Sequence, residues 1–169
     1  ALGVRTLFNV LGPLTNPAGA QHQVMGVYSE TLVEPIGEVL ALLGTQHSLV
    51  VHGAGGLDEF SLEGPNLVAQ VRDGKSQVFT LHPEEVGLTP APVSALVGGD
   101  AAMNAEILRS VFHGELGPRA DAVAFNAGAA LYAADLADSI ATGVKQARQL
   151  LQNGKAAETL KALIEATHR

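Results

Sequence analysis

The spacing of apolar residues divides the chain into a β-rich first half and a helical second half. Gln23 to Tyr28 reads as a strand. Thr31 to Leu43 places Leu32, Ile36, Val39, Leu40 and Leu43 on one helical face. Thr31 and Glu34 have capping-box spacing, Pro35 falls near the first turn where its missing N–H is tolerated, and Gly44 follows as the stop. The run Ser48 to His52 is short and continuously apolar at its centre, as a buried parallel strand would be. Strand, helix and strand in this order predict a βαβ unit and an α/β fold. Leu67 to Arg72 and Gln77 to Leu81 flank Asp73-Gly74-Lys75-Ser76, the pattern of a hairpin. A proline-spaced connector from His82 to Val97 leads into the helices.

Asp100 is placed to cap a helix whose Met103, Ile107 and Val111 share a face, broken by Gly114 and Gly117-Pro118. Arg119 to Leu136 is almost entirely small and apolar, so it predicts a helix buried on most sides. Two further helices, from about Asp138 to Gln152 and Lys155 to Thr167, are divided by Asn153-Gly154 as a left-handed cap. No internal repeat or low-complexity linker interrupts this order. Residues 1–20 have a different character, dense in Gly, Pro, Asn and Thr, with Gly12-Pro13 and Asn16-Pro17 forcing turns. Leu7, Phe8, Val10, Leu11 and Leu14 would tie that segment to a core.

Composition narrows the function classes. The 169 residues suffice for one domain with a sizeable core, and a hydrophobic fraction of 47% excludes a disordered chain. With aromatics at 4%, the core must be packed from small and aliphatic side chains. A net charge of −7 and the lack of a basic stripe argue against nucleic acid or anionic lipid as partner. A small phosphorylated ligand is still permitted, since it needs only a few donors or a metal. No cysteine is present, which excludes disulfides, thiolate metal sites and a cysteine nucleophile. No apolar run is long enough to span a bilayer as a helix, so no membrane partner is expected. The opening at Ala1-Leu2-Gly3 reads as a cut through a longer protein.

Four constellations carry candidate chemistry. Gly12-Pro13-Leu14-Thr15-Asn16-Pro17 either turns a corner between strands or shapes a site for a flat small molecule. His52-Gly53-Ala54-Gly55-Gly56-Leu57-Asp58-Glu59 follows a predicted parallel strand, where open α/β sheets bind ligands. Adjacent Asp58 and Glu59 suit magnesium, a hard cation held by one or two carboxylates with water and phosphate at its other positions. A solvated acidic loop is the alternative. His52 either positions a substrate or hydrogen-bonds a nearby loop, and the other histidines lack zinc-ligand spacing. Gly98-Gly99-Asp100 is better read as a helix cap than as an anion site, because Asp100 competes for the same N–H donors. Asn126-Ala127-Gly128, inside the buried helix, reads as packing that supports a site. A nucleophile elbow, a Walker-type loop and a dinucleotide fingerprint are all absent from the sequence.

At these motifs the sequence resembles the anthranilate phosphoribosyltransferase family. The resemblance runs through Leu2-Gly3-Val4-Arg5-Thr6-Leu7-Phe8-Asn9-Val10-Leu11 and the Gly12 to Pro17 stretch. It resumes at His52-Gly53, Gly56-Leu57-Asp58-Glu59, Gly98-Gly99-Asp100, Asn104-Ala105 and Asn126-Ala127-Gly128. It implies a nucleoside phosphorylase/phosphoribosyltransferase-type catalytic domain, with a mostly parallel sheet flanked by helices and a helical C-terminus. On this resemblance residues 1–169 are the C-terminal part of that α/β domain. The N-terminal helical domain, through which a homodimer would form, and the diphosphate-binding loop would lie upstream. The implied reaction is a magnesium-dependent step of tryptophan biosynthesis in the cytoplasm. It transfers ribose 5-phosphate from phosphoribosyl diphosphate to the amine of anthranilate, releasing diphosphate. Asp58 and Glu59 match the family's magnesium-holding pair. Gly12 and Pro13 match positions lining the anthranilate path, and Asn9 and His52 lie in matching segments with supporting, substrate-binding roles. The implied catalysis is by positioning and charge stabilisation, with no general acid or base among these residues. The competing readings are a pyrimidine nucleoside phosphorylase and a non-catalytic, nucleic-acid-binding relative of the same fold. Against the family pattern, Ala54-Gly55 lacks a carboxylate often found in that loop.

Overall fold

The computed structural model describes residues 17–168 together with Gly12, Leu14 and Thr15. The strands are β1 (His22–Gly26), β2 (His47–His52), β3 (Asn66–Arg72) and β4 (Lys75–Leu81). They form one sheet in the order β1-β2-β3-β4. The helices are α1 (Val33–Leu42), α2 (Ala101–Phe112), α3 (Pro118–Ala133), α4 (Ile140–Gln152) and α5 (Lys155–Thr167).

The expected βαβ unit is present, because β1 and β2 pair in parallel across α1. The rest of the sheet corrects the expectation of a mostly parallel one. Among the described residues, β2–β3 and β3–β4 are both antiparallel, so the sheet is mixed. The physical reason is the connection. A parallel neighbour needs a crossover, usually helical, whereas residues 53–65 form a turn-rich loop that sends the chain straight back. The hairpin is tighter than the four residues between its predicted strands suggested. Arg72 pairs with Lys75, and only Asp73 (φ 51°) and Gly74 (φ 71°) turn the corner, both left-handed as a two-residue hairpin turn requires.

α1 differs from its sequence reading at its start and in its buried face. Glu30–Leu32 forms a 3-10 turn, and the α-helix begins at Val33 without a side-chain cap bond. Instead of capping a helix with Glu34, Thr31 meets the Ser29 hydroxyl at 2.9 Å. The buried face is Val33, Ile36, Gly37 and Leu40, which leaves Val39 and Leu43 exposed. Gly44 ends the helix as expected, with φ 78°.

Strand alternation sorts the core into two layers. Met25, Val50, Ala69 and Val71 meet Val33, Ile36 and Leu40 of α1, with Leu14 and Leu67 at the margin. Leu49, Val51 and Val68 point the other way, onto Phe125, Ala129 and Ala133 of α3 and onto Val144 of α4. A third cluster joins Val111 of α2, Ala120 and Ala124 of α3, and Ala147 and Leu151 of α4. α3 is buried on most sides, as its small residues predict, with only Pro118 and Ala130 exposed. It ends at Ala133, short of Leu136, where Asp135 takes a left-handed conformation (φ 56°). α2 is more peripheral than its pattern implied, with Val111 its one buried residue and Met103 exposed. Among the described residues, no helix is long and apolar enough to cross a membrane.

Candidate functional site at the carboxyl end of β2

The parallel pair β1–β2 ends at Gly26 and His52, and the Gly-rich loop leaves from that edge. Alternation fixes what lies on each face. Gly26 pairs with Val51, whose side chain faces α3. A Cβ built on Gly26 would lie 1.5 Å from the Asp58 carbonyl oxygen, so the loop backbone occupies that space. A Cβ on Gly53 would likewise meet the Glu59 carbonyl oxygen at 2.2 Å. The absence of side chains at Gly26 and Gly53 therefore lets the Asp58-Glu59 segment cross the strand ends on the α3 face.

The segment is held from its far side as well. Phe60, 1% exposed, packs its ring against Phe125 at 4.8 Å between centroids. The backbone N–H of Phe60 donates to Asn126 Oδ1 at 2.9 Å, and Asn126 Nδ2 donates to the Phe60 carbonyl at 3.0 Å. Asn126 Nδ2 also donates to the Ala122 carbonyl. The expected supporting role of Asn126-Ala127-Gly128 is what the contacts describe. A Cβ on Gly128 would meet Val144 N at 2.4 Å, so the glycine permits α3 and α4 to touch. Below the loop, the buried Asn66 accepts from Ser61 N at 2.6 Å and donates to the carbonyls of Ser61, Gly64 and Leu81.

On this rigid seat both carboxylates are exposed, and neither joins any of the ion pairs found among the described residues. Glu59 is held above the ordinary carboxylate range, by desolvation first and then by repulsion from Asp58. Two adjacent negative charges without a protein counter-ion suit a divalent cation. Among the described residues no cluster of three or more ligating side chains exists, so this pair offers a cation at most two protein carboxylates and would leave its other positions to water or phosphate oxygens. The chemistry of Asp58 and Glu59 is compatible with a hard divalent cation such as magnesium.

Glu59 also lines a cleft of about 690 Å³ between α2 and α3, walled by Ile107, Val111, Val123 and Ala127. Arg119 lines the same cleft but donates to the Val97 carbonyl at 2.8 Å. Asp100 caps α2 by accepting from Met103 N at 2.8 Å, as its position predicted.

His52 lies on the other side of the strand tip. It alternates with Val51 and pairs with Leu67, which borders the α1-side core. Its Nδ1 is 2.8 Å from the Val27 carbonyl, which only accepts, so Nδ1 carries a proton and Nε2 is the nitrogen left to face a ligand. The loop-bonding role weighed for His52 is thus real. His52 lines a pocket of about 420 Å³ with Glu30, Gly53 to Gly56, Pro65 and Thr80. Neither pocket at this end unites His52 with the acidic pair.

Gly12 is exposed, with no heavy atom within 4 Å of where its Cβ would be. Asn9 and Pro13 lie outside the described residues. Sequence reasoning missed Gly26 and Asn66. An isolated glycine closing a strand was the available signal for the first, and an Asn directly after Gly64-Pro65 for the second.

The whole chain but its last residues, 1–157, matches the glycosyl transferase family, a/b domain. The chain is 52% identical over 165 residues to an anthranilate phosphoribosyltransferase of Chloroflexus aurantiacus, covering 96% of this chain and 49% of that protein. It is 49% identical over 166 residues to that of Thioalkalivibrio sulfidiphilus, with 98% and 49% covered. The anthranilate phosphoribosyltransferase structure from Thermus thermophilus superposes with a TM-score of 0.86 at 49% identity, covering 95% of this chain and 47% of that one. The Saccharomyces cerevisiae enzyme in complex with PRPP and Mg gives 0.84 at 28% identity, over 96% and 47%. The chain spans about half the length of the curated relatives it matches.

Proposed function

Because the chain belongs to the glycosyl transferase family, through its a/b domain, we propose that its protein transfers the 5-phosphoribosyl group from phosphoribosyl diphosphate to anthranilate. Diphosphate is released. On this reading residues 1–169 are the C-terminal part of the α/β domain of a cytoplasmic enzyme of tryptophan biosynthesis. A helical domain upstream supplies the homodimer contact, and the diphosphate-binding loop likewise lies upstream of this chain. The observation that carries the proposal is the pair of exposed, unpaired carboxylates fixed at the strand exit by Gly26, Gly53 and Asn126. The yeast relative's PRPP and Mg support the same assignment.

Asp58 and Glu59 hold the magnesium ion. When bound, the ion offsets charge on the departing diphosphate oxygens. The pair's contribution is geometric, because a backbone held by Gly26, Gly53 and Asn126 needs little reorganisation as charge redistributes. His52 binds substrate in a supporting role, its Nδ1 tied to the Val27 carbonyl and its Nε2 left for the ligand. Gly12, Pro13 and Asn9 line the acceptor's path. No strong general base is required, because an aromatic amine is neutral and nucleophilic at pH 7, and the proton it loses as the C–N bond forms passes to solvent or to the departing diphosphate.

The test is an assay of the full-length protein carrying this chain. Magnesium-dependent loss of anthranilate fluorescence in the presence of phosphoribosyl diphosphate is expected. Thymine release from thymidine and phosphate, without anthranilate turnover, would replace this reading by a phosphorylase.

A further inference from the structure

We propose that Asn126 is a positioning residue that sets the geometry of the Asp58–Glu59 pair from the opposite layer of the fold. The inference rests on the reading of that pair as the magnesium site, and it assigns a role to a side chain that never touches the ion.

The contacts that carry it are specific. Asn126 uses one amide group to bond both the N–H and the C=O of Phe60, the residue directly after Glu59. A side chain thereby takes the place of a strand partner, and it fixes the orientation of the Phe60 backbone as well as its position. A third bond, from Nδ2 to the Ala122 carbonyl one helical turn back, fixes the amide to the body of α3. The Phe60 ring is clamped on Phe125, the neighbour of Asn126, so main chain and side chain of Phe60 report to the same helix. On the other side, the Asp58 and Glu59 carbonyls abut Gly26 and Gly53. The acidic pair is thus suspended between the sheet edge and α3. Magnesium demands near-ideal octahedral geometry at about 2.0–2.1 Å, so releasing one side of that suspension misplaces the donors.

Asn104 supplies an internal control. It makes the same two-bond contact to one backbone position, accepting from Gly99 N at 2.9 Å and donating to the Gly99 carbonyl at 3.0 Å. It borders the same cleft, but the turn it pins leads into Asp100, whose carboxylate is engaged in capping α2.

The experiment is calorimetric titration of magnesium into the full-length protein with phosphoribosyl diphosphate present, paired with thermal melting. Outer-shell partners of metal ligands contribute about 10- to 100-fold in affinity. Asn126→Ala is expected to weaken magnesium binding by about tenfold or more, while Asn104→Ala lowers the melting temperature and leaves magnesium affinity unchanged. A less stable Asn126→Ala protein with wild-type magnesium affinity would overturn the proposal. Equal weakening in both variants would overturn it too, by reducing the effect to general loosening. Should Asn126→Ala fail to fold, Asn126→Ser, too short to bond both Phe60 groups, is titrated under the same criteria. Asp58→Asn and Glu59→Gln separate the two levels. If they leave magnesium affinity intact the site reading itself has failed, whereas their loss with an unaffected Asn126→Ala rejects the positioning role alone.

Discussion

Gly26→Ala tests the seating of the acidic loop at its tightest point. The added methyl would start 1.5 Å from the Asp58 carbonyl oxygen and 2.4 Å from its carbon, both backbone atoms that cannot swing aside as a side chain would. Ordinary contact begins near 3.4 Å, so strand and loop must separate by roughly 1.9 Å at this point. Overpacking of this kind costs about 1–3 kcal/mol. For a domain of this size that lowers the melting temperature by roughly 2–12 °C. The functional effect is larger in proportion, because disturbing the surroundings of metal ligands costs about 10- to 100-fold in metal affinity. Differential scanning calorimetry gives the first quantity and magnesium titration in the presence of phosphoribosyl diphosphate the second. Gly44→Ala is the comparison. It strains a left-handed residue at φ 78° but meets no atom within 4 Å, so it lowers stability without touching magnesium affinity. A Gly26→Ala protein that melts within a degree of wild type and binds magnesium normally would refute the seating.

Three further outcomes follow from the same contacts. Gly128→Ala drives a methyl to 2.4 Å from Val144 N, and urea unfolding is expected to show a loss of about 1–3 kcal/mol; a loss under about 0.5 kcal/mol would contradict the close crossing of α3 and α4. Asn66→Ala removes the partner of Ser61 N and of three carbonyls, at a cost of about 1–3 kcal/mol by the same method, and a neutral result would mean water replaces all four bonds. Asp135 sits at the opposite end of the strands, and its carboxyl is held below the ordinary range by the His47 hydrogen bond, then, against opposing desolvation, by Arg72. A lowered folded value contributes stability above the unfolded value near pH 4, lost as pH falls through the folded one. Asp135→Asn should therefore melt below wild type at pH 6 and converge with it in acid, and a pH-independent gap would reject that linkage.

Much of the fold was legible because periodicity speaks directly to local structure. The βαβ unit, the hairpin, the Asp100 cap and the break at Gly154 all follow from residues close in sequence. The sheet's mixed character was not legible, since strand direction depends on how residues 53–65 turn, and turn-rich sequence does not announce a direction. The buried face of α1 was misread for a related reason. Val39 and Leu43 fit the apolar stripe, but Gly37 lets the helix lie close to Ala69 and rotates the contact toward Val33. At the site, Asp58 and Glu59 were recognisable as chemistry, whereas what orients them was not. Gly26 and Asn126 reach the loop from 32 and 66 positions away, and neither spacing is a pattern within any element.

The proposed magnesium site is the Asp58–Glu59 pair. Its most direct measurement is calorimetric binding of magnesium to the full-length protein, with phosphoribosyl diphosphate present, for wild type, Asp58→Asn and Glu59→Gln. Saturable wild-type binding, weakened by about tenfold or more in each variant at unchanged melting temperature, is the result expected. Wild-type affinity in both variants would contradict the account.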